Sequence, residues 1–173
     1  MPLILLDTNV LVYTCDPGEP IKRAQAGAVL RACEQTGNGR LSVQCLSEFV
    51  SVSTRRLKPP LTFVEANRQV ERLSQSLPVF DLTPMIVLEA LRGVREHNLS
   101  YYDAQIWAAA RLNQVPVIFS EDFNSNSVLD GVRFVNPFSA EFDLTTWVVS
   151  PDDARQAAPA VCVWPQSVAQ SDR

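Results

Sequence analysis

At 173 residues and 46% hydrophobic content, the chain has the length and apolar fraction of one globular domain with a real core. Its formal charge of −4 and pI of about 5.0 exclude a global basic field for nucleic acid or membrane surfaces. A polyanionic ligand would need a local basic groove, a groove between subunits, or bound cations.

In chain order, Pro2 to Leu6 is predicted to be a buried strand that delivers Asp7 to its carboxyl end, with a helix starting at Thr8 or Asn9. This apolar run stops at Asp7, too short for a signal peptide or a membrane span. Asp16-Pro17-Gly18-Glu19-Pro20 is a turn, and Pro20 opens a helix to about Gln35. Ile21, Ala24, Ala28, Val29 and Ala32 form its expected inner face. Gly37-Asn38-Gly39 breaks that helix. A short strand, Arg40 to Val43, leads to a helix from Cys45 to about Leu57. After Lys58-Pro59-Pro60, Thr62 and Glu65 carry the signature of a capping box. Pro78 to Leu82 is a third strand, and Pro84 opens a helix that fades at Glu96-His97-Asn98. Ser100 begins a helix through Asn113. Pro116 to Phe119 is a fourth strand ending at Ser120-Glu121-Asp122, Asn124 to Ser127 is a turn, and Val132 to Val135 is expected at the sheet edge.

Strands alternating with helices predict an α/β domain over residues 1–138, built on a mainly parallel sheet. Residues 139–173 form a C-terminal extension, irregular from Ser150 onward, where Pro151, Pro159 and Pro165 stand among Ala, Gln and Ser. Trp147, Val161, Val163 and Trp164 are the residues available to dock it. Cys15, Cys33, Cys45 and Cys162 show neither CxxC nor zinc-like spacing, which predicts reduced thiols in a cytoplasmic protein.

Carboxylates recur at equivalent places in this scheme. Asp7 ends the first strand, Glu48 lies just past the second, Asp103 is in the first turn of the Ser100 helix, and Asp122 follows the fourth strand. Right-handed crossovers in a parallel sheet bring strand carboxyl ends and the following helix N-termini together. Each acid alone has an ordinary explanation: a helix cap for Asp7, a solvated helix residue for Glu48, a capping box for Asp103, a turn for Asp122. Together they can converge on one crevice. Two carboxylates about 4 Å apart repel by roughly 4 kcal/mol at an effective dielectric near 20, so a cluster must protonate, splay or bind a cation. Hard oxygen ligands without nearby Cys or His select Mg²⁺ or Mn²⁺ over zinc. Such ions support hydrolysis of phosphodiesters by activating water.

The segments LILLDTNVLVY, SEF, SYYDAQIWAAA and VIFSEDF, in this order, resemble a PIN-domain ribonuclease, most similar to toxins of VapC type. The resemblance covers roughly residues 2–138. It implies a parallel sheet flanked by helices in a Rossmann-like three-layer arrangement, and RNA cleavage dependent on Mg²⁺ or Mn²⁺. It implies Asp7, Glu48, Asp103 and Asp122 as the catalytic, metal-binding set, with Thr8, Asn9 and Ser120 orienting ligands and water. An antitoxin protein and a second copy of the chain are the implied partners. A non-catalytic module that binds RNA or protein, and a DNA-directed nuclease, are the alternatives.

Other chemistries lack their residues. His97 is the single histidine, so a two-histidine acid–base mechanism within one chain is excluded; its place at a helix C-terminus suits the dipole. GxSxG, P-loop and GxGxxG sequences are absent. Asp7-Thr8-Asn9 is similar to the strand-end DxD of haloacid dehalogenase-like phosphatases, but Asn9 stands where the second Asp would be. Arg55, Arg56, Lys58 and Arg111 are the candidate RNA contacts, Tyr101 and Tyr102 the candidates for base stacking, and Trp107 a core residue.

Overall fold

A computed structural model describes residues 1–148. The strands are β1 (Ile4–Leu6), β2 (Gly39–Ser42), β3 (Val79–Phe80), β4 (Val117–Phe119), β5 (Val128–Leu129) and β6 (Val132–Val135). The helices are α1 (Thr8–Tyr13), α2 (Pro20–Thr36), α3 (Val43–Ser53), α4 (Phe63–Ser76), α5 (Pro84–His97), α6 (Tyr101–Leu112) and α7 (Thr145–Val148).

The strands form one sheet in the order β3-β2-β1-β4-β6-β5, parallel except for β5. Helices flank it in a three-layer α/β fold, as the sequence pattern predicts. The centre of the sheet is apolar on both faces: Ile4, Leu5, Leu6, Ile118 and Phe119 are fully buried. Such strands carry continuous rather than alternating hydrophobicity, because helices cover both sides. From β1 the chain moves outward through β2 and β3 on one side, then returns so that β4 pairs with the other side of β1. The crevice at the carboxyl ends of β1 and β4 is therefore the topological switch point, where open α/β sheets bind ligands.

Short polar residues set the helix starts. Ser42, Thr62, Thr83 and Ser100 each accept a backbone N–H from the first turn, and Thr62 with Glu65 completes a full capping box. Gly37 and Asn98, at φ of 67° and 55°, terminate α2 and α5 in the left-handed conformation. Trp107 is fully buried, as expected, and its Nε1 donates to the Leu129 carbonyl at 3.2 Å. Gly93 allows α5 to approach it: a Cβ there would lie 2.9 Å from the Trp107 ring.

The structure corrects several expectations. Val132–Val135 is not the sheet edge, because β5 pairs antiparallel beyond it through a hairpin turned by Asp130 and Gly131 (φ of 45° and 84°). Ile21 and Ala24 face solvent in the first turns of α2, whose buried face is Ala26, Val29, Leu30, Ala32 and Cys33. The helix expected from Cys45 to Leu57 runs from Val43 to Ser53, because Ser42 caps it. His97 does more than meet the helix dipole: it lies 3.4 Å from Asp130 and stands edge-on to Trp107.

The described part of the C-terminal extension packs on the domain. Phe142 and Trp147 stand edge-on to Phe119, at 5.4 and 5.8 Å, and Asn38 donates to the Trp147 carbonyl at 3.3 Å. Val161, Cys162, Val163 and Trp164 lie outside the described residues. Cys15, Cys33 and Cys45 are buried. Among the described residues no helix is long and apolar enough to cross a membrane.

Candidate active site

Asp7 is the junction between sheet and helix. Its N–H donates to the Phe119 carbonyl at 3.0 Å, continuing the pairing of β1 with β4. Its side chain then caps α1, with Oδ1 accepting from the Thr8 N–H at 2.6 Å. Oδ2 accepts from the Ser120 hydroxyl at 2.6 Å and from Asn9 Nδ2 at 3.3 Å. Asn9 Nδ2 also reaches Ser120 Oγ and Asp122 Oδ2, each at 3.1 Å. The Asp122 N–H donates to Ser120 Oγ at 3.1 Å. One amide and one hydroxyl thus hold Asp7 and Asp122 side by side across the switch point.

Glu48 arrives from the other flank, on the second turn of α3. Thr8 Oγ1 donates to its Oε2 at 3.3 Å, and Gln44 Nε2 to its Oε1 at 2.9 Å. The same Gln44 nitrogen donates to the Tyr102 carbonyl at 3.0 Å, tying α3 to the first turn of α6. Asp103 lies in that turn. Its Oδ2 accepts from the Ser100 hydroxyl at 2.7 Å while its N–H donates to Ser100 Oγ at 3.3 Å. Here the cap, Ser100, holds the candidate ligand, whereas at Asp7 cap and candidate ligand are one residue.

All four acids line one pocket of about 420 Å³, together with Thr8 and Asn9. Ser120 sits beneath, 1% exposed, and acts through Asp7. Burial pushes the Asp7 carboxyl up to about 7, against the Ser120 and Thr8 hydrogen bonds; the charges of Asp122 and Glu48 push the same way as burial. Two buried oxygens in this region, Asn9 Oδ1 and Gln44 Oε1, find no donor. Among the described residues, no three Asp, Glu, His or Cys side chains are already gathered tightly enough to hold an ion. Asp7 and Asp122 share the Asn9 amide, whereas Glu48 and Asp103 stand away from them on donors of their own. The residues nevertheless fit a hard divalent cation: the donors are all oxygen, one acid is held near neutrality, and two acceptors lack a partner.

Of the candidate RNA contacts, Arg56 lines the pocket, whereas Arg55, Lys58 and Arg111 do not. Arg111 is bound to Glu89 at 2.7 Å and lies 3.8 Å from Asp130. Tyr101 and Tyr102 are both exposed, and Tyr102 lines the pocket.

Sequence reasoning missed two features. Gln44 precedes Glu48 by one helical turn, a spacing that places them on one face and makes their contact readable. Glu121 also lines the pocket and is anchored by Tyr13 Oη and by Lys22 Nζ at 2.6 Å. That tie joins positions 99 residues apart, and no local pattern announces it.

A PIN domain model matches residues 4–128. The chain belongs to the PIN domain family. Among solved structures, this PIN domain is similar to the Mycobacterium tuberculosis VapC20 toxin, described as cleaving the sarcin–ricin loop. The TM-score is 0.56 at 20% identity, over 75% of this chain and 98% of that one. It is similar also to a chain of a toxin–antitoxin complex from Klebsiella pneumoniae (TM-score 0.55, 18% identity, 78% and 97% covered). A chain of DNA-bound VapBC from Salmonella typhimurium is alike to the same degree (TM-score 0.55, 20% identity, 78% and 97% covered). At these identities the likeness establishes the fold of the PIN domain. Comparison with curated proteins gives no match.

Proposed function

We propose that this PIN domain is an endoribonuclease dependent on Mg²⁺ or Mn²⁺, and the toxin of a type II toxin–antitoxin pair acting in the cytoplasm. The observation that carries the reading is that carboxylates from both flanks of the switch point, Asp7, Glu48, Asp103 and Asp122, line one pocket. These four would hold the ion, which when bound activates water and neutralises charge at the phosphate. Thr8 and Gln44 aim Glu48 into the pocket. Asn9 and Ser120 keep Asp7 and Asp122 adjacent despite their like charge. Asp7, whose carboxyl burial pushes up to about 7 in the metal-free site, must give up its proton to hold the ion. No side-chain nucleophile is required.

An antitoxin partner is supported by the similar toxin–antitoxin complexes and by large apolar side chains left exposed on α4 and α5, including Phe63, Val64, Met85 and Leu88. A homodimer would use part of the same surface. The deciding experiment is cleavage of single-stranded RNA by the purified protein with Mn²⁺, with EDTA, and by Asp103→Asn. Cleavage that needs the metal and Asp103 is expected. Cutting that persists in EDTA, or no cutting of RNA at all, defeats the reading, and cutting of DNA alone would replace the substrate.

A further inference from the structure

Beside the acid pocket, across α3, lies a second groove of about 610 Å³. Gln44, Glu48, Val52, Arg56 and Tyr102 line both, so a continuous depression runs from the carboxylates to Val43 and Leu82. Three properties of this groove point to a ligand. Gln105 lines it and is only 4% exposed, yet its side-chain amide makes no hydrogen bond among the described residues. The amide atoms keep contact with the solvent of the groove, so they offer an occupant a donor and an acceptor that nothing else engages. Tyr102 is 63% exposed, and its ring is inclined at 66° to that of Tyr101. Arg56 is the one basic residue lining either cavity, and among the described residues it makes no ion pair.

Resting on the nuclease reading above, we propose that this groove is a base-recognition subsite for an unpaired nucleotide next to the scissile phosphate. The base stacks on Tyr102, its hydrogen-bonding edge meets the Gln105 amide, and Arg56 takes an adjoining phosphate. Val43 and Leu82, 41% and 45% exposed, supply apolar contact. A glutamine amide presents an acceptor beside a donor, which matches adenine most directly. The acidic chain thereby gains a cation and a stacking platform at the one place where its substrate must be held.

The test is cleavage of a randomised single-stranded RNA pool with Mn²⁺, sequencing the ends produced by wild type, Gln105→Leu and Tyr102→Ala. Gln105→Leu keeps the side-chain volume and removes an amide that bonds to no described residue, so it folds; Tyr102→Ala changes an exposed side chain. Wild type should prefer one base about tenfold at a fixed offset from the cut, within what a bidentate amide–base pair supports. Gln105→Leu should reduce that preference to below about twofold, with the loss of cutting falling on the preferred base. Tyr102→Ala should weaken binding of a labelled RNA, read by anisotropy in an Asp103→Asn background, at least about fivefold. Cutting by wild type without a base preference, or with one that Gln105→Leu leaves intact, overturns the subsite and spares the nuclease reading. A change of oligomeric mass in Leu82→Asp, with base preference untouched by Gln105→Leu, makes the groove a protein interface and also overturns it. Failure of wild type to cut any RNA removes both.

Discussion

Two regions of this chain gather carboxylates and treat them in opposite ways. Around Trp107, every acid has a cation. Arg92 binds Glu89 at 2.7 Å, Glu96 at 2.8 Å and Asp130 at 2.6 Å, and Arg111 binds Glu89 at 2.7 Å. Both guanidinium groups lie over the indole, at 5.1 and 5.9 Å. Arg92 holds the Glu89 and Asp130 carboxyls below the usual carboxylate range. At the switch point Asp7, Glu48, Asp103 and Asp122 have hydrogen-bond donors but, among the described residues, no ion-pair partner, and burial pushes Asp7 up to about 7. The first arrangement joins α5, α6 and the β5–β6 hairpin into one unit. The second leaves the charge balance to be completed from outside the chain.

The largest effect expected from this contrast is on chemistry. Asp7→Asn or Asp103→Asn should lower RNA cleavage on the order of 10²–10³-fold or more, as losing a stabiliser of developing charge does. The fold should survive. In Asp7→Asn the introduced amide keeps an acceptor for the Thr8 N–H and can donate to Ser120 Oγ, while Asn9 retains Asp122. Wild-type cleavage by both variants would remove these acids from the site.

Next comes pH. The folded state keeps a proton on Asp7 up to about 7, whereas the unfolded chain releases it near the ordinary 3.8. Between those values the native state binds more protons, so stability in EDTA should fall as pH rises, on the order of 1–4 kcal/mol in total. Urea midpoints at pH 5 and pH 8 measure it, and Asp7→Asn should flatten the trend. The acids paired with arginine leave this window clear, because their depressed values place their own losses below the ordinary carboxylate range. Stability that is flat or rising from pH 5 to 8 in wild type would mean Asp7 is solvated after all.

Mn²⁺ should then reverse the sign. At a hundredfold excess over its dissociation constant, a ligand that binds only the native state adds about 2.7 kcal/mol. The gain should be greater at pH 8 than at pH 5, because the ligands must be deprotonated. No thermal shift at millimolar metal would favour a non-catalytic binding module.

Much of the site is legible in the chain, for identifiable reasons. Asp7 closes an apolar run with the pattern of a buried strand, so its position at a carboxyl end follows from that pattern. Asp103 sits where Ser100 must cap an apolar helix, and the structure has both. What escapes is the region where local and distant signals compete. Asp130-Gly131, flanked by Val128, Leu129 and Val132, is the turn of a hairpin. The polar run just before it is the stronger turn signal, so the pattern puts Val132–Val135 at the edge. Ile21 belongs to the helical repeat of α2 but lies in a first turn that overhangs the core, and periodicity does not say where a core ends. Arg111 reads as a free cation because its partners, Glu89 and Asp130, are about 20 positions away on either side.

That last point yields the smallest prediction, made on the paired side of the contrast. Glu89→Gln leaves Arg92 and Arg111 competing for one amide oxygen where two carboxylate oxygens now serve them. Glu89 is only 15% exposed at its side chain, so solvent replaces the lost charge poorly. Destabilisation of about 1–3 kcal/mol is expected by urea unfolding at pH 7, with cleavage per folded molecule unchanged. Because the Glu89 carboxyl is depressed in the folded state, its contribution is present above the ordinary carboxylate value and lost as pH falls below it. The variant and wild type should therefore converge in stability once acid has protonated the Glu89 carboxyl in the folded state. If they differ there as much as at pH 7, packing rather than charge holds α5 to α6, and the two acid clusters are less unlike than their partners suggest.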